Sequence, residues 1–445
     1  MKKAICLLVG FILLAYVFAG CGGGGKKEYI VPVYADDKVM EIGAWDAPAF
    51  FRMSQEGFNE VADAGFTLVY INENVLDFGN PKVTTPAQAV EYLDRAQNAG
   101  LKAVIVDSAF CKPIYASDPS TYDQGPADKS FMKYYKDHPA FAGLRISDEP
   151  MMLGFSGVKF KLDEFKENFP GKIGYVNTYP NEQDDFSQGH MEGLLKDVGV
   201  QFASYDHYVL MSDGSLRENY FKYLEYVKTL AVKYGVPAHN FLLTAGHSTA
   251  TSVYRKASEE EIRWQVACDL VYGYDWFTHY CYHPLDPSYD PFVTQDGKLT
   301  ELHRKVKTVN GEMHKWDHVY LSFEWQGVAP ILGDNTFKNY MFDYLSNGID
   351  RNEIEGVKTI RATEDALTGI FKDAAGNQGF MVANAVNPYE KKATLVTIQF
   401  DKKYKYQGVQ VWEKGVPRIV DLQNNKVLIE LEPGEGKFII PLKKK

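Results

Sequence analysis

The sequence predicts an α/β fold, a (β/α)8 TIM barrel followed by a C-terminal antiparallel β-sandwich. In the first part of the chain a short apolar run, a polar loop, an amphipathic segment and a glycine recur roughly every 35–40 residues. That alternation indicates parallel strands joined by crossover helices. From about Tyr320 onwards, short alternating strands are divided by turn sequences, which is typical of a sandwich. We therefore expect the barrel over residues 38–318 and the sandwich over residues 319–445.

Eight apolar runs qualify as barrel strands because each ends in polar or aromatic residues. In order they are Met40–Ala44, Phe66–Ile71, Leu101–Val106, Phe141–Ile146, Lys172–Val176, Gln201–Tyr205, Asn240–Ala245 and Trp276–Tyr282. Helices are predicted at Ser54–Gly65, Pro86–Gly100, Ser258–Tyr272 and Leu299–Trp316. An open doubly wound sheet would need a glycine-rich phosphate turn after its first strand, and the sequence has none.

The predicted strands of the sandwich are short and separated by turns such as Asp-Ala-Ala-Gly and Pro-Gly. They cover Gly369–Lys372, Gly379–Ala383, Thr394–Phe400, Val409–Glu413, Lys426–Leu431 and Lys437–Ile440.

The N-terminus has the pattern of an export signal. Lys2 and Lys3 precede an apolar run that is too short for a stable membrane span, which predicts a signal peptide over residues 1–20. The run ends in Phe18-Ala19-Gly20-Cys21, which is similar to the lipobox of bacterial lipoproteins, and residues 21–37 are then a glycine-rich tether. We expect anchoring in the cell envelope through a lipid on Cys21, facing the periplasm or the cell surface. An ordinary cleaved signal is the alternative, and it too would place the protein outside the cytoplasm.

Composition narrows the class of partner. The net charge of -10 argues against nucleic acid, for which a basic face would be expected. The 29 tyrosines suit a protein that stacks on sugar rings, although aromatic residues more often fill cores. Beyond Cys6 and Cys21, three cysteines remain at positions 111, 268 and 281, without CxxC spacing, so free buried thiols are expected rather than disulfides or zinc ligands.

The segment from His138 to Pro150 is the most informative stretch of the chain. Its apolar run ends in Asp148, Glu149 and Pro150, and proline cannot donate a hydrogen bond to a strand ladder, so the strand must stop there. The carboxyl ends of barrel strands form the catalytic face of the fold. A glutamate beside a second carboxylate can have its pKa raised towards neutral pH, which suits Glu149 to general acid/base chemistry. The alternative is a capping Asp148 and a solvated Glu149.

Three motifs carry a resemblance to a known family. They are His138-Pro139-Ala140 with Asp148-Glu149-Pro150, the eighth-strand segment Trp276-Phe277-Thr278-His279-Tyr280, and the turn Pro433-Gly434-Glu435-Gly436. Together they resemble the barrel glycoside hydrolases of clan A, such as families 42 and 5. The resemblance implies hydrolysis of O-glycosidic bonds in a poly- or oligosaccharide, with Glu149 as acid/base and no cofactor. Asp148 stands where that clan usually has Asn.

The resemblance also implies a glutamate nucleophile at the end of the seventh strand, where this sequence has Ala245-Gly246-His247. A glycosidase needs a second carboxyl group, and Asp206 at the end of the sixth strand is the favoured candidate, as nucleophile or as the base that activates water. Its alternative role is to accept a hydrogen bond from a sugar hydroxyl or from His247. The other strand-end carboxylates are Asp46, Glu73, Asp107 and Asp148.

The candidate sugar contacts are aromatic, histidine, amide and carboxylate side chains at strand ends, which stack on or hydrogen-bond to sugars. They are Trp45, Asp46, Asp148, Asn177, Tyr179, His207, Tyr208, His247, Trp276, His279 and Tyr282. Packing in the barrel core is the alternative for Trp276. No HxH or HExxH spacing accompanies the histidines, His283 included, so no metal is expected.

Two functions remain open at this point. The first is an exported glycoside hydrolase acting on a carbohydrate. The second is a non-catalytic glycan-binding lipoprotein that kept the barrel and lost the nucleophile, which the missing carboxylate after strand seven supports.

The lipid anchor can be tested directly. Cys21→Ala should move the protein from the membrane fraction to the soluble fraction, because acyl chains would be its only anchor. Fractionation of cells followed by immunoblotting measures this. Recovery of the variant in the membrane fraction would contradict the assignment.

Overall fold

The computed structural model describes residues 28–71, 86–107, 110, 129, 132–178, 189–249, 252–283, 290–294, 296–334, 336–343, 345 and 348–445. Five residues named above lie outside these ranges, together with the predicted signal peptide. They are Cys6, Cys21, Glu73, Cys111 and Tyr179.

Eight parallel strands form the barrel, which confirms the predicted fold class. The strands up to its end are β1 (Tyr29–Ile30), β2 (Glu41–Ala44), β3 (Leu68–Ile71), β4 (Lys102–Ile105), β5 (Phe141–Asp148), β6 (Ile173–Asn177), β7 (Ala203–Asp206), β8 (Ala238–Leu243), β9 (His247–Ser248), β10 (Val253–Tyr254) and β11 (Trp276–Tyr280). The barrel order is β6-β5-β4-β3-β2-β11-β8-β7. A parallel bridge between Thr178 and Tyr205 joins β6 to β7 and closes the circle. Strands β9 and β10 form a separate hairpin.

The first six of the described helices connect barrel strands, as the alternation predicts, and three more follow the last barrel strand. They are α1 (Gln55–Asp63), α2 (Pro86–Asn98), α3 (Phe155–Asn168), α4 (His190–Gly193), α5 (Tyr220–Tyr234), α6 (Glu259–Val271), α7 (Glu301–Met313), α8 (Asp317–Tyr320) and α9 (Tyr340–Asp343). One π-helical segment covers Leu194–Val198, and 3₁₀ turns cover Phe50–Arg52, Met132–Tyr134, Met152–Gly154, Pro388–Glu390 and Lys402–Tyr404. Among the described helices, none combines the length and the apolar character needed to cross a membrane.

Side chains of the barrel strands alternate between the barrel interior and the surrounding helices, as a period of two requires. Aromatic residues fill the interior: Trp45 packs against Tyr70 with ring centroids 5.1 Å apart, and Trp276 packs against Phe202 at 4.7 Å. Cys268 and Cys281 are free and buried, as expected.

The sandwich consists of antiparallel strands after α8. They are β12 (Phe323–Ile331), β13 (Val357–Ala362), β14 (Ala366–Asp373), β15 (Gln378–Asn384), β16 (Thr394–Phe400), β17 (Gly408–Glu413), β18 (Val416–Asp421), β19 (Lys426–Leu431) and β20 (Gly436–Lys444). One sheet has the order β12-β14-β15-β20-β17-β18 and the other β13-β16-β19, with a hydrophobic core between them. All six predicted strands are present, and the sequence interpretation missed β12, β13 and β18.

The predicted tether over residues 21–37 needs a correction at its C-terminal end. Strand β1 pairs antiparallel with Lys443 and Lys444 of β20, so it extends the large sheet of the sandwich. The Tyr29 hydroxyl donates a hydrogen bond to Asp421, and the Tyr29 ring fills the space above Gly408. Both ends of the described chain therefore meet in one sheet.

Helix α6 joins the barrel to the sandwich. It begins with a capping box, in which Ser258 Oγ accepts from the Glu261 N–H and Glu261 Oε2 accepts from the Ser258 N–H. Nearly all of its residues from Glu261 onwards are buried, because the helix packs against barrel strand β8 on one side and strands β14, β15 and β20 on the other. Trp325 Nε1 donates to the Val271 carbonyl at its C-terminal end.

The close approach of β14 to the C-terminal end of α6 at Gly369 can be tested. A Cβ at Gly369 would overlap the Val271 carbonyl oxygen, which is backbone and cannot turn aside. We expect Gly369→Ala to cost about 1–3 kcal/mol and lower the Tm measurably. The matched control is Gly311→Ala in α7, where nothing lies within 4 Å and helix propensity favours alanine. Equal melting temperatures for the two variants would contradict this packing.

Candidate active site

The backbone at the end of β5 is held in an unusual conformation. Glu149 has a φ of 48°, in the left-handed region, and it precedes Pro150, which normally restricts its neighbour to extended backbone. Two hydrogen bonds hold the turn: the Glu149 N–H donates to the Asn177 carbonyl at 2.8 Å, and His190 Nε2 donates to the Pro150 carbonyl at 3.0 Å. Strain that the surroundings maintain in this way is characteristic of functional sites.

Three carboxyl groups meet at the carboxyl ends of β5 and β7. Asp148 and Glu149 end β5, and Asp206 ends β7. Asn177, at the end of the intervening β6, lies opposite Asp148 in the strand register and donates from Nδ2 to Asp206 Oδ1 at 2.8 Å. A cation lies beside the cluster, since Arg145 Nη1 is 4.0 Å from Asp148 Oδ2. The structure thus brings together the two residues to which the sequence assigned catalysis.

Burial and mutual repulsion raise the pKa values of this cluster. Burial raises the pKa of Glu149 to about 7, and the charge of Asp148 adds to the effect. The pKa of Asp206 lies well above its usual value because of burial and the charge of Glu149, although the Asn177 hydrogen bond opposes the rise. Asp148 keeps 36% of its side chain accessible, so solvent reaches the cluster at this residue. The carboxyl groups of Glu149 and Asp206 therefore lose their protons at higher pH than isolated carboxyl groups do.

An aromatic wall stands beside these acids. Tyr208 and Tyr280 lie with ring centroids 5.0 Å apart, and the His247 ring is 5.2 Å from each. Burial and the nearby charge of Asp206 raise the pKa of Tyr208 well above its usual value. Burial lowers the pKa of His247, which donates from Nδ1 to the Ala245 carbonyl at 3.1 Å, so the ring is neutral. Tyr280 completes this wall and was not among the predicted site residues.

Trp45 and Asp46 follow β2 at the same end of the barrel. Trp45 is buried among Tyr70, Tyr175 and Phe241, so most of its ring belongs to the barrel core. Asp46 is buried and has a φ of 55°, the second strained carboxylate at the end of a barrel strand.

Position along β11 and strand parity place two predicted residues away from the site. Trp276, Thr278 and Tyr280 point into the barrel, and His279 points outwards, where its Nε2 donates to Asn310 Oδ1 of α7 at 3.0 Å. Trp276 does face inwards, but it begins β11 and lies at the opposite end of the barrel from Glu149. The expectation of sugar contacts for Trp276 and His279 is therefore corrected.

His207 and Tyr282 are also occupied within the protein. His207 Nε2 donates to Asn219 Oδ1 at 2.8 Å, and its Nδ1 accepts from Arg217 at 3.2 Å. Burial and the Arg217 charge lower the pKa of His207 to about 3. Tyr282 is buried against Phe292, with ring centroids 4.7 Å apart. His207 directly follows the inward-facing Asp206, and its side chain turns into the surrounding layer.

Of the remaining strand-end carboxylates, Asp107 accepts a hydrogen bond from the Tyr135 hydroxyl at 2.5 Å and is buried in the barrel wall. The sequence interpretation missed Ser204, His239 and Thr278, which lie beneath Asp206 inside the barrel. Strand parity could have identified Ser204, because it lies two residues before Asp206 and faces the same side of β7.

No known protein-family profile matches the chain. No curated protein matches it either. Solved structures do resemble it. A family 5 glycoside hydrolase from Bacteroides vulgatus is 11% identical, with 91% of this chain and 90% of that chain aligned and a TM-score of 0.52. A noncanonic maltogenic α-amylase from Thermotoga neapolitana is 11% identical, with 92% and 99% aligned and a TM-score of 0.51.

A third structure, described as a glycoside hydrolase, is also 11% identical, with 91% of this chain and 93% of that chain aligned and a TM-score of 0.50. At this level of identity, the similarity shows the fold alone. The class that fold and site define is a (β/α)8 barrel with a C-terminal β-sandwich and a cluster of acids at the carboxyl end of the barrel.

The raised pKa of Glu149 gives a prediction about stability. The pKa of Glu149 is about 7 in the folded state and 4.5 ordinarily. The unfolded chain therefore ionises Glu149 more readily, and the free energy of unfolding falls as the pH rises from about 4.5 to above 7. Glu149→Gln should therefore raise the Tm relative to wild type more at pH 8 than at pH 4. The exposed Glu324→Gln, measured by calorimetry alongside it, should show no such trend. A difference for Glu149→Gln that is the same at both pH values would refute the assignment.

Proposed function

We propose that the protein is an exported glycoside hydrolase, anchored through a lipid on Cys21, that cleaves O-glycosidic bonds of a poly- or oligosaccharide. The observation that carries this proposal is Glu149, held in a strained turn at the end of β5 beside Asp148 and Asp206, where burial raises its pKa to about 7. A carboxylic acid that keeps its proton at working pH is what protonation of a glycosidic oxygen requires. The glycoside hydrolase structures of the same fold support this reading.

Glu149 and Asp206 would divide the chemistry between them. Glu149 transfers its proton to the glycosidic oxygen as the bond from that oxygen to the anomeric carbon breaks. Asp206 either attacks the anomeric carbon or takes a proton from the water that attacks it. In the first case a water, deprotonated by Glu149, then releases the sugar from the Asp206 ester, and both groups return to their starting protonation states. In the second case Glu149 ends ionised and Asp206 ends protonated, so Asp206 must lose a proton to solvent and Glu149 must regain one before the next turnover.

Asp206 replaces the carboxylate that the resemblance implies on the seventh barrel strand. Strand β8 is followed by Thr244, which donates from Oγ1 to the Tyr280 carbonyl at 2.8 Å, and by His247 in the aromatic wall. Neither can act as a nucleophile towards a sugar in the way that a carboxylate does. Because Asp206 ends the adjacent β7 and its pKa responds to Glu149, it is the partner that the geometry favours.

The sugar contacts that we propose are the residues that the structure brings to this mouth. Tyr208 and Tyr280 offer ring surfaces for the apolar face of a sugar, and His247, Asn177 and Asp148 offer hydrogen-bonding groups. Trp45 and Asp46, at the end of β2, line the same end of the barrel, and Tyr179 follows β6 in the sequence.

A second candidate function is glycan binding without turnover. The observation in its favour is the absence of a carboxylate from the residues after β8, Thr244 to His247. Incubating the protein with a panel of aryl glycosides and polysaccharides, and measuring both released sugar and bound glycan, separates the two. Turnover supports the hydrolase, and saturable binding without turnover supports the binding protein.

Substitution of the two acids tests the proposed roles. Glu149→Gln keeps the side-chain shape but has no proton to donate, so kcat should fall about 10²–10⁴-fold on a natural glycoside while binding persists. The loss should be smaller on an aryl glycoside with a good leaving group, because that bond needs little protonation to break. Asp206→Asn should slow both substrates alike, and added azide should restore activity.

Initial rates on the two substrates give these values, with Glu324→Gln on the sandwich as the control that keeps wild-type rates. Wild-type activity in Glu149→Gln would remove the central assignment. Unchanged activity in Asp206→Asn alone would leave Glu149 in place and move the search for its partner to Asp148 or Asp46.

A further inference from the structure

A chain of hydrogen bonds runs from Asp206 into the interior of the barrel. Asn177 Nδ2 contacts Asp206 Oδ1 at 2.8 Å, and Ser204 Oγ contacts Asn177 Oδ1 at 2.7 Å. Ser204 Oγ also lies 2.7 Å from His239 Nδ1, whose Nε2 lies 2.8 Å from Thr278 Oγ1. The chain therefore links β6, β7, β8 and β11 beneath the candidate site.

The direction of every bond in this chain follows from the first. Because the Asn177 NH₂ group donates to Asp206, the side-chain carbonyl oxygen of Asn177 faces Ser204 and accepts a hydrogen bond from the Ser204 hydroxyl. A hydroxyl has one proton, so Ser204 accepts from His239 Nδ1–H. In the neutral His239 ring, Nε2 is then the acceptor, and it receives a hydrogen bond from the Thr278 hydroxyl. All four donors point towards Asp206.

The chain transmits dipoles and carries no charge of its own. His239 is 0% exposed, and burial lowers its pKa to about 3, so the ring stays neutral. Rings enclose it on the remaining sides, with Trp276 at 4.6 Å and Phe241 at 5.2 Å between centroids. In such a dry environment aligned hydrogen bonds polarise one another, and the last donor becomes stronger.

Asp206 and Glu149, the two acids above this chain of hydrogen bonds, differ in their hydrogen bonding. Asp206 faces the charges of Glu149 and Asp148, with Arg145 beyond Asp148 and the Tyr208 hydroxyl nearby, and it accepts the chain's final bond. Within the part of the chain that the structure describes, no side chain donates a hydrogen bond to the Glu149 carboxyl group. A donated hydrogen bond favours the ionised form of an acid.

We propose that the buried chain from Thr278 through His239 and Ser204 fixes the Asn177 amide so that Asp206 carries the negative charge and Glu149 keeps its proton. His239 and Ser204 are thus positioning residues that act through Asn177. The catalytic consequence rests on the proposed function, because it assigns acid and nucleophile or base, but the charge assignment itself does not need catalysis.

The test compares stability at two pH values in two backgrounds. Ser204→Ala removes the proton that holds the Asn177 oxygen, so the charge on Asp206 loses support. The loss of Tm relative to wild type should be about 3 °C larger at pH 8 than at pH 4. In an Asp206→Asn background, the same substitution should cost the same at both pH values, because no charge is left to stabilise. Ser147→Ala is the matched control, since the Ser147 hydroxyl is buried and has no hydrogen-bond partner among the residues that the structure describes.

Two further variants keep the test decisive. His239→Asn retains a donor towards Ser204 and should restore most of the wild-type pH dependence, whereas His239→Leu should behave like Ser204→Ala. If Ser204→Ala does not fold, Thr278→Val breaks the chain at its far end and should show the same sign. On a glycoside that is hydrolysed, the acidic limb of kcat/KM should move up by about half a pH unit in the breaking variants.

The outcomes separate this inference from the proposed function. A loss of Tm in Ser204→Ala that is equal at both pH values, or one that persists unchanged in the Asp206→Asn background, would overturn the inference. The predicted pH dependence in a protein that hydrolyses no glycoside would uphold the inference and count against the hydrolase.

Discussion

Closure of the barrel between β6 and β7 is the constraint on which the candidate site depends. The Thr178 N–H donates to the Ser204 carbonyl at 3.3 Å, and the Asp206 N–H donates to the Thr178 carbonyl at 3.0 Å. These bonds place Asn177 beside Asp206, and Asn177 in turn holds the Glu149 backbone through its carbonyl. An open sheet would leave β6 and β7 at opposite edges, and the acids of β5 and β7 would not meet.

The sandwich supports the same end of the barrel through helix α6. Gln265 of α6 accepts from the Leu243 N–H and donates to the Leu243 carbonyl, both at 2.9 Å, which satisfies the backbone where β8 ends. The other side of α6 is buried by β14, β15 and β20. The position of the loop that carries His247 therefore depends on the packing of the second domain. In the clan A glycoside hydrolases that the sequence resembles, the strand equivalent to β8 would carry the nucleophile. Here the residues after β8 contribute His247 to the aromatic wall.

Most of the architecture was predictable from the sequence because it is written in local patterns. All eight barrel strands and the position of Glu149 at the end of β5 follow from apolar runs and their polar ends. The errors have physical causes. Trp276 and His279 lie an odd number of residues apart, so strand parity prevents both side chains from facing the same cavity. The side chain of His207 is held away from the site by hydrogen bonds with Arg217 and Asn219. The sequence pattern does not indicate these contacts, because they form only when the chain folds. Strand β18 contains Pro417, which is tolerated at a sheet edge but weakens the strand pattern.

The most direct test of the account is a crystal structure of Glu149→Gln with a glycan that the protein binds. The side-chain amide at position 149 should lie about 3 Å from a glycosidic oxygen, with Asp206 on the side of the anomeric carbon and Tyr208 against the sugar ring. A glycan bound elsewhere, for example in the cleft between α6 and the sandwich that Trp316 and Trp412 line, would contradict the assignment of the acids at the barrel mouth to glycoside hydrolysis.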